Sequence, residues 1–329
     1  MVHLTSRPNK FGVTASIPCF RANRYVRKAV ESLLSQTHSD LTVVVVNDGQ
    51  DNPPWAELAH IRDPRLVRFS LERNRGPYFV HQVVLAASDT PYFLIQDADD
   101  WSAAHRVRTL LSQLLADNAD FAFSARQQYR QDHNGTLRLD SLRWHRKDTR
   151  PTSNSLLPRP LTTAGQGRTQ MISPHGSLFF DPILTNEFVN RASHHGVFLR
   201  TALEQIGGYY GGFRLNYDTL LTNLLLMTGK VTFVDAPLYH YLIRRDSLSH
   251  SDATGARSLA RAHARAQQAG IYNEALHWFR KWKKHAINRE EFMTIIRGLT
   301  NRFVTASDHA AIALEAARLT AVMRTCSKL

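Results

Sequence analysis

Four consecutive valines at positions 43–46, inside an apolar run from 41 to 47, constrain the fold of this 329-residue chain more than any other stretch. A β-branched run without polar alternation predicts a strand covered on both faces, as in a parallel sheet between helices. The flanking sequence supplies such helices. Strands are predicted at 12–18, 67–71 and 91–96, and helices at 22–35, 78–88 and about 102–118. Val26, Ala29, Val30, Leu33 and Leu34 form one apolar face of the first helix; Val107, Leu110, Leu111, Leu114 and Leu115 do so in the third. A short helix is expected to open at Pro53-Pro54. This alternation implies a doubly wound α/β sheet whose ligands gather at the carboxyl ends of its strands.

Two acidic sites fall at such ends: Asp48, before Gly49, and the trio Asp97, Asp99 and Asp100. Clustered acids after a buried strand repel one another and are costly unless a cation sits among them. A hard divalent ion such as Mg²⁺ or Mn²⁺ answers that need and can still share coordination with phosphate. The plainer reading is an acidic turn capping the helix that starts near Ser102. The triplet alone leaves the two readings level.

The later chain is less regular. Residues 121–131 and 136–144, joined by Asn134-Gly135, predict a hairpin. Residues 147–169, polar and carrying Pro151, Pro158 and Pro160, read as a mobile loop. A second block follows, with strands at 196–200 and 231–241, a helical turn at 201–206 and a helix at 218–227. Everything beyond Thr254 is helical in pattern. The expected organisation is an α/β unit over 1–253, with halves at about 10–120 and 121–253, and a helical appendage over 254–329. Two distant cysteines, Cys19 and Cys326, imply neither a disulfide framework nor a zinc site. No run matches a membrane span or a signal peptide, so a cytoplasmic location is expected. The net charge of +13 favours an anionic partner, but scattered arginines argue against nucleic acid.

The opening GVTASIPCFR at 12–21, VESLLSQT at 30–37, VVNDG at 45–49, ERNRGP at 72–77 and LIQDADDW at 94–101 resemble family-2 glycosyltransferases of GT-A fold. So do GVFLR at 196–200, IGGY at 206–209 and APLYHY at 236–241. The resemblance covers residues 10–250 in the expected order and leaves the C-terminal helices uncovered. It implies a metal-dependent, inverting transferase that uses a nucleotide-diphosphate sugar, with UDP first and dTDP or GDP as alternatives. A small-molecule or glycan acceptor follows, and the bias toward arginine over lysine and toward alanine suggests a bacterial source, with a secondary metabolite or cell-surface glycan as that acceptor.

The resemblance also carries residue roles. Pro18, Cys19 and Phe20 correspond to the nucleoside cradle, and Asp48 to an acceptor for a base imide N–H, although Asn47 replaces the usual first acid. Asp99 is matched to ribose or metal, Asp100 to metal and Asp97 to a supporting acceptor. Asn74 and Arg75, with Arg73 beside them, are candidate nucleotide contacts. Asp218 takes the position of the general base, with Tyr217 where relatives have Glu; Asp181, His194 and His195 are rival bases, the two histidines on the acceptor side. Arg244 and Arg245 are candidate diphosphate clamps, and His240 a candidate ligand. The Tyr217 departure keeps open a nucleotide-sugar-binding protein without transfer activity. A nucleotidyltransferase is a further alternative, though it would want more arginines than Arg21 and Arg24 after the first strand. Finally, Trp278, Phe279 and Trp282 lie among Arg280, Lys281, Lys283 and Lys284. Such a helix can lie on an anionic membrane. Its wide apolar arc favours packing against the same chain or a second copy.

Overall fold

The valine run becomes β2 (Leu41–Asp48), the second strand in a computed structural model that describes residues 10–131, 136–143, 160–163, 166–172, 177–180, 193–244 and 256–326. Successive side chains of a strand face opposite sides, and the valines divide accordingly. Val43 and Val45 join one core with α1 (Asn23–Leu34) and α3 (Arg106–Ala116). Val44 and Val46 join the other with α2 (Pro77–Ala87). Both faces are therefore covered, as a parallel centre requires.

β2 lies between β1 (Val13–Cys19) and β3 (Leu66–Leu71), and β1 also pairs in parallel with β4 (Tyr92–Ile95). The sheet then turns mixed. β11 (Gly196–Leu199) runs antiparallel to both β4 and β6 (Phe121–Gln131), and β12 (Val231–Ile243) runs parallel to β6. The two-residue β5 (Trp101–Ser102) pairs with Tyr239 and His240 of β12, tethering the acidic segment to that strand. Beyond β12 come β10 (Ser177–Phe180), β9 (Gln166–Ile172) and, at the edge, β8 (Pro160–Thr163). β7 (Leu137–Arg143) pairs antiparallel with β6, as expected of a hairpin; its Asn134-Gly135 turn lies outside the described residues. The chain is thus an α/β protein with a mixed central sheet and helices at its C-terminus.

Three expectations are corrected. Residues 54–60 form turns, not a helix: their bonds run from Leu58, Ala59 and Ile61 back three residues, and Arg68 takes the Leu58 and Ile61 carbonyls. α3 starts at Arg106, because Trp101 and Ser102 are drawn into β5. Within 147–169, residues 160–163 pair with 166–169 as strands, and Pro160 is tolerated at the sheet edge, where an N–H is not required. The remainder of that expected loop lies outside the described residues.

α4 (Arg200–Gln205) and α5 (Tyr217–Thr228) cover the same face as α2. So do α6 (Ala256–Lys283), α7 (Arg289–Thr300) and α8 (Ala306–Cys326), whose Tyr272, Phe279, Phe292, Ile296 and Leu319 share one core with Val44 and Val46. Trp282 stacks on Phe292 at 4.9 Å, and Trp278 packs against the core edge. Lys281 lies over Trp278 and Lys283 over Trp282. The aromatic stripe is thus occupied within the chain. No helix among the described residues is long and apolar enough to cross a membrane. Because the helices complete a common core, Phe292→Ala is expected to cost about 3–5 kcal/mol. Urea denaturation should show it as a shift of one cooperative transition. A separate early transition, with the bulk unfolding unmoved, would contradict the shared core.

Candidate active site

β4 ends beneath a fully buried polar lattice. Gln96 Oε1 accepts from Ser102 Oγ at 2.8 Å and from Arg106 Nη1 at 2.9 Å. Arg106 also donates to Ser102 Oγ and to the Ile95 carbonyl, and lies over the Tyr239 ring at 4.6 Å. Burial pulls Arg106 down to about 10, against the opposing charges of Asp100 and Asp97, so it stays cationic at neutral pH. This lattice stiffens the turn that presents the acids.

Each acid has a different partner. Asp97 Oδ2 meets His195 Nε2 at 2.8 Å. Asp99 Oδ2 accepts from Arg244 Nε at 2.6 Å. Asp100 Oδ1 accepts the Leu242 N–H at 2.7 Å, while its Oδ2 is buried without a hydrogen bond of acceptable geometry. The Tyr239 hydroxyl, which accepts the Asp97 N–H, is also a hydrogen-bonding neighbour of the Asp100 carboxylate and opposes the rise in its pKa. Burial and the charges of Asp99 and Asp97 push Asp100 well above the usual carboxylate range. Burial also raises Asp99, opposed by Arg244. Burial also raises Asp97, opposed by His194 and Arg244.

One oxygen from each of Asp97, Asp99 and Asp100 lies within 4.8 Å of the others. An all-oxygen donor set with an orphaned carboxylate oxygen suits a hard divalent ion, because an unmet buried acceptor costs the full desolvation of that atom. These residues fit Mg²⁺ or Mn²⁺. They also show that Arg244 now compensates part of the charge.

Asp48, at the end of β2, is buried and serves its own neighbourhood. Its carboxylate accepts from the Arg75 N–H at 2.7 Å, the Gly76 N–H at 2.9 Å and Asn74 Nδ2 at 2.8 Å. Burial raises its pKa and the two backbone donors oppose the rise. Gly49 permits this closure: its φ is 65°, and a Cβ would lie 2.0 Å from the Arg73 carbonyl carbon. Asp48 therefore holds the 74–76 turn, whose Asn74 and Arg75 are the expected nucleotide contacts beside it. Arg75 also reaches beyond the turn. Its guanidinium donates to Asp308 of α8 at 2.7 Å and lies over Phe79. Asn74 additionally accepts from Arg214.

Across the strand ends, α5 opens with Tyr217 and Asp218. The Tyr78 hydroxyl donates to Asp218 Oδ1 at 2.8 Å, leaving Oδ2 for another partner. Tyr217, in the position expected to hold Glu, is fully buried with its hydroxyl unpartnered. His194 and His195 immediately precede β11, whose Val197 pairs with Leu94 of β4, so they meet Asp97 at the carboxyl end of β4. His194 Nδ1 bonds the Tyr209 hydroxyl at 2.8 Å. Burial and the neighbouring His195 lower His194 to about 4; burial also holds His195 well below its ordinary value.

At the end of β1, Cys19 is buried, with its thiol pushed up to about 12 by burial, so it is no nucleophile. Pro18 pairs with Val46 in the sheet and Phe20 projects outward, 38% exposed. Beside them lies an open groove of about 440 Å³ lined by Arg21, Asn23, Arg24, Gln50 and Asn52. It adjoins the acids through Arg244, whose Nη1 donates to the Arg21 carbonyl at 3.3 Å. His240 stacks on Trp101 at 5.4 Å, away from the acid trio's own contacts. Arg245 and Asp181 lie outside the described residues. Sequence reasoning missed Tyr78, Tyr239 and Arg106. Only Arg106 had a local signal: a cation in the first turn of a helix opposes the dipole and needs a compensating reason.

The model for Glycosyl transferase family 2 matches residues 14–180. Succinoglycan biosynthesis protein ExoO of Rhizobium meliloti is 30% identical over 110 residues, 33% of this chain and 32% of that protein. The 2-C-methyl-D-erythritol 4-phosphate cytidylyltransferase of Pseudomonas putida is 31% identical over 119 residues, 33% of this chain and 49% of that one. The chain thus spans half or less of the length of these curated relatives. In fold it is similar to S. aureus TarS 1–349 in complex with UDP, with TM-score 0.52, 12% identity, and coverage of 96% of this chain and 90% of that one. The same TarS segment in complex with UDP-GlcNAc gives TM-score 0.50 at 12% identity.

The raised Asp100 has a definite sign. Its charge is resisted in the folded state, so its contribution turns unfavourable as pH rises above the ordinary Asp range toward the raised folded value. Asp100→Asn keeps an oxygen for the Leu242 N–H and removes that charge. In chelator at pH 7 the variant is expected to melt about 2–4 °C higher than the parent, a gain that shrinks as pH falls toward about 4. Mn²⁺ should stabilise the parent and not the variant. A variant that melts lower in chelator would mean the carboxylate is already compensated.

Proposed function

Because the chain belongs to glycosyl transferase family 2, we propose that it moves a sugar from a nucleotide-diphosphate donor to an acceptor hydroxyl in one inverting displacement. The observation that carries this reading is the juxtaposition at the strand ends of the oxygen trio with its orphaned Asp100 Oδ2 and, across from it, Asp218. Asp97, Asp99 and Asp100 would hold Mn²⁺ or Mg²⁺. When bound, the ion supplies charge neutralisation for the diphosphate and for the negative charge that grows on it as the glycosidic bond breaks.

The chain's own residues do the rest. Asp218 Oδ2 receives the acceptor proton as the acceptor oxygen attacks the anomeric carbon in line with the departing diphosphate, while Tyr78 keeps Oδ1 in place. Arg244 exchanges Asp99 for phosphate oxygens, which its planar fork suits. Pro18, Cys19 and Phe20, with the adjoining groove, take the nucleoside, and Asp48 contributes by holding the 74–76 turn. Arg245 is a second clamp candidate. Residues 1–253 would form the transferase unit, with 254–329 completing its core.

A UDP-sugar is the first donor to test, supported by the UDP and UDP-GlcNAc complexes of the structurally similar TarS. A bacterial cell-surface glycan is the favoured acceptor class, supported by the similarity to a succinoglycan biosynthesis protein. The similarity to a cytidylyltransferase favours a second reading, nucleotidyl transfer, which would consume CTP and release pyrophosphate.

Turnover of UDP-, dTDP- and GDP-sugars with Mn²⁺ tests the main reading, with CTP and a phosphorylated alcohol as the contrasting arm. Asp218→Asn is expected to lower kcat by about 10²–10⁴-fold with little change in donor KM. Arg244→Ala should raise donor KM by about 10–100-fold. Full turnover in Asp218→Asn would remove it as base. Donor binding without turnover on any acceptor would favour a binding protein, and pyrophosphate release only with CTP would favour the second reading.

A further inference from the structure

We propose a second metal site, for a borderline transition-metal ion such as Zn²⁺ or Co²⁺, built from His194, His195 and Asp97 and competing with the oxygen trio for Asp97. One nitrogen of each histidine and one oxygen of Asp97 lie within 4.8 Å of one another. An imidazole–imidazole–carboxylate set is the donor class that borderline ions prefer, whereas three carboxylates suit Mg²⁺ or Mn²⁺.

The surrounding contacts orient the rings as ligands. In metal sites a ligating histidine usually engages its other ring nitrogen in a hydrogen bond that sets tautomer and orientation. Here the Nδ1 of His194 bonds Tyr209 Oη at 2.8 Å, and the Nδ1 of His195 bonds Ser193 Oγ at 3.0 Å. In both cases Nε2 remains the nitrogen for a ligand, and that of His195 already faces Asp97 Oδ2 at 2.8 Å. Two ring contacts hold this pair: His195 stacks on Tyr239 at 4.2 Å, and the two histidine rings lie 4.0 Å apart. Gly196 lets the segment approach the sheet, since a Cβ there would lie 2.3 Å from the Ala122 carbonyl oxygen.

Proton balance is met within the site. Metal ligation uses the neutral imidazole, and each ring keeps a hydrogen-bond partner for its Nδ1. Without metal, the His195 proton sits on Nε2 and is donated to Asp97. With metal on Nε2, the proton moves to Nδ1 and is donated to Ser193 Oγ, with no net release from that ring. Asp97 cannot serve both sites equally, so occupancy of one weakens the other. The binding claim stands apart from the transferase reading, because it concerns metal affinity alone.

The test is Co²⁺ titration of the full-length, chelator-treated protein, read by ligand-field absorption and by calorimetry. One equivalent with imidazole-type absorption is expected. His194→Ala should weaken Co²⁺ binding by at least about tenfold, and Tyr209→Phe, which keeps the ring packing and removes the outer hydrogen bond, by about tenfold. Asp99→Asn should leave Co²⁺ binding in place while weakening Mn²⁺. Co²⁺ should displace Mn²⁺ bound to the unmodified protein, as followed by the Mn²⁺ paramagnetic resonance signal. Absence of Co²⁺ binding, or binding unchanged in both His194→Ala and Tyr209→Phe but lost in Asp99→Asn, would overturn the proposal.

Discussion

The placement of three carboxylates at the end of a buried strand is the constraint to which the rest of this structure answers. Like charges in a poorly solvated place cannot all remain ionised without compensation. The chain meets that need from four directions. Arg244 pairs with Asp99, the Leu242 N–H serves Asp100, His195 serves Asp97, and Arg106 lies buried below. The compensation is incomplete at one atom, Asp100 Oδ2. That atom is the one the proposed cation would serve.

The compensating groups come from distant parts of the sheet, so the site depends on topology. β12 contributes Tyr239, Leu242 and, just beyond its end, Arg244; β11 is preceded by both histidines. Antiparallel insertion of β11 between β4 and β6 carries those histidines to the carboxyl end of β4. The two-residue pairing of β5 with β12 then ties the acids to the strand that supplies their donors. The same face is closed by the C-terminal helices, which hold Arg75 away from the site through Asp308. The turn that Asp48 holds is thereby tied to the C-terminal helices.

The overlap of two donor sets on Asp97 follows from the same crowding. One carboxylate faces an oxygen-rich side and a nitrogen-rich side, and ions of different hardness would choose differently between them. A site of this kind discriminates by ligand type, since the protein has placed both kinds within reach of one residue.

The sequence by itself determined the alternation of strands and helices over the first hundred residues, because apolar periodicity and the valine run are local signals read without knowledge of partners. It also located the acids at 97–100, Asp48 and Asp218, since strand ends and helix starts are local boundaries. It did not foresee that Asp48 would hold the 74–76 turn or that Arg75 would pair with Asp308, because which donor reaches a carboxylate depends on chain brought in from elsewhere. Tyr78 and Tyr239 carried no local sign of their roles, being aromatic residues in apolar runs whose hydroxyls matter only for what lies opposite. Residues 54–60 looked helical by their prolines and were held as turns by Arg68. Tertiary structure decided the pairings, the burial that shifts the acids and histidines, and the orphaned oxygen. Each of these arises from groups far apart in sequence meeting in a poorly solvated space, which no local pattern encodes.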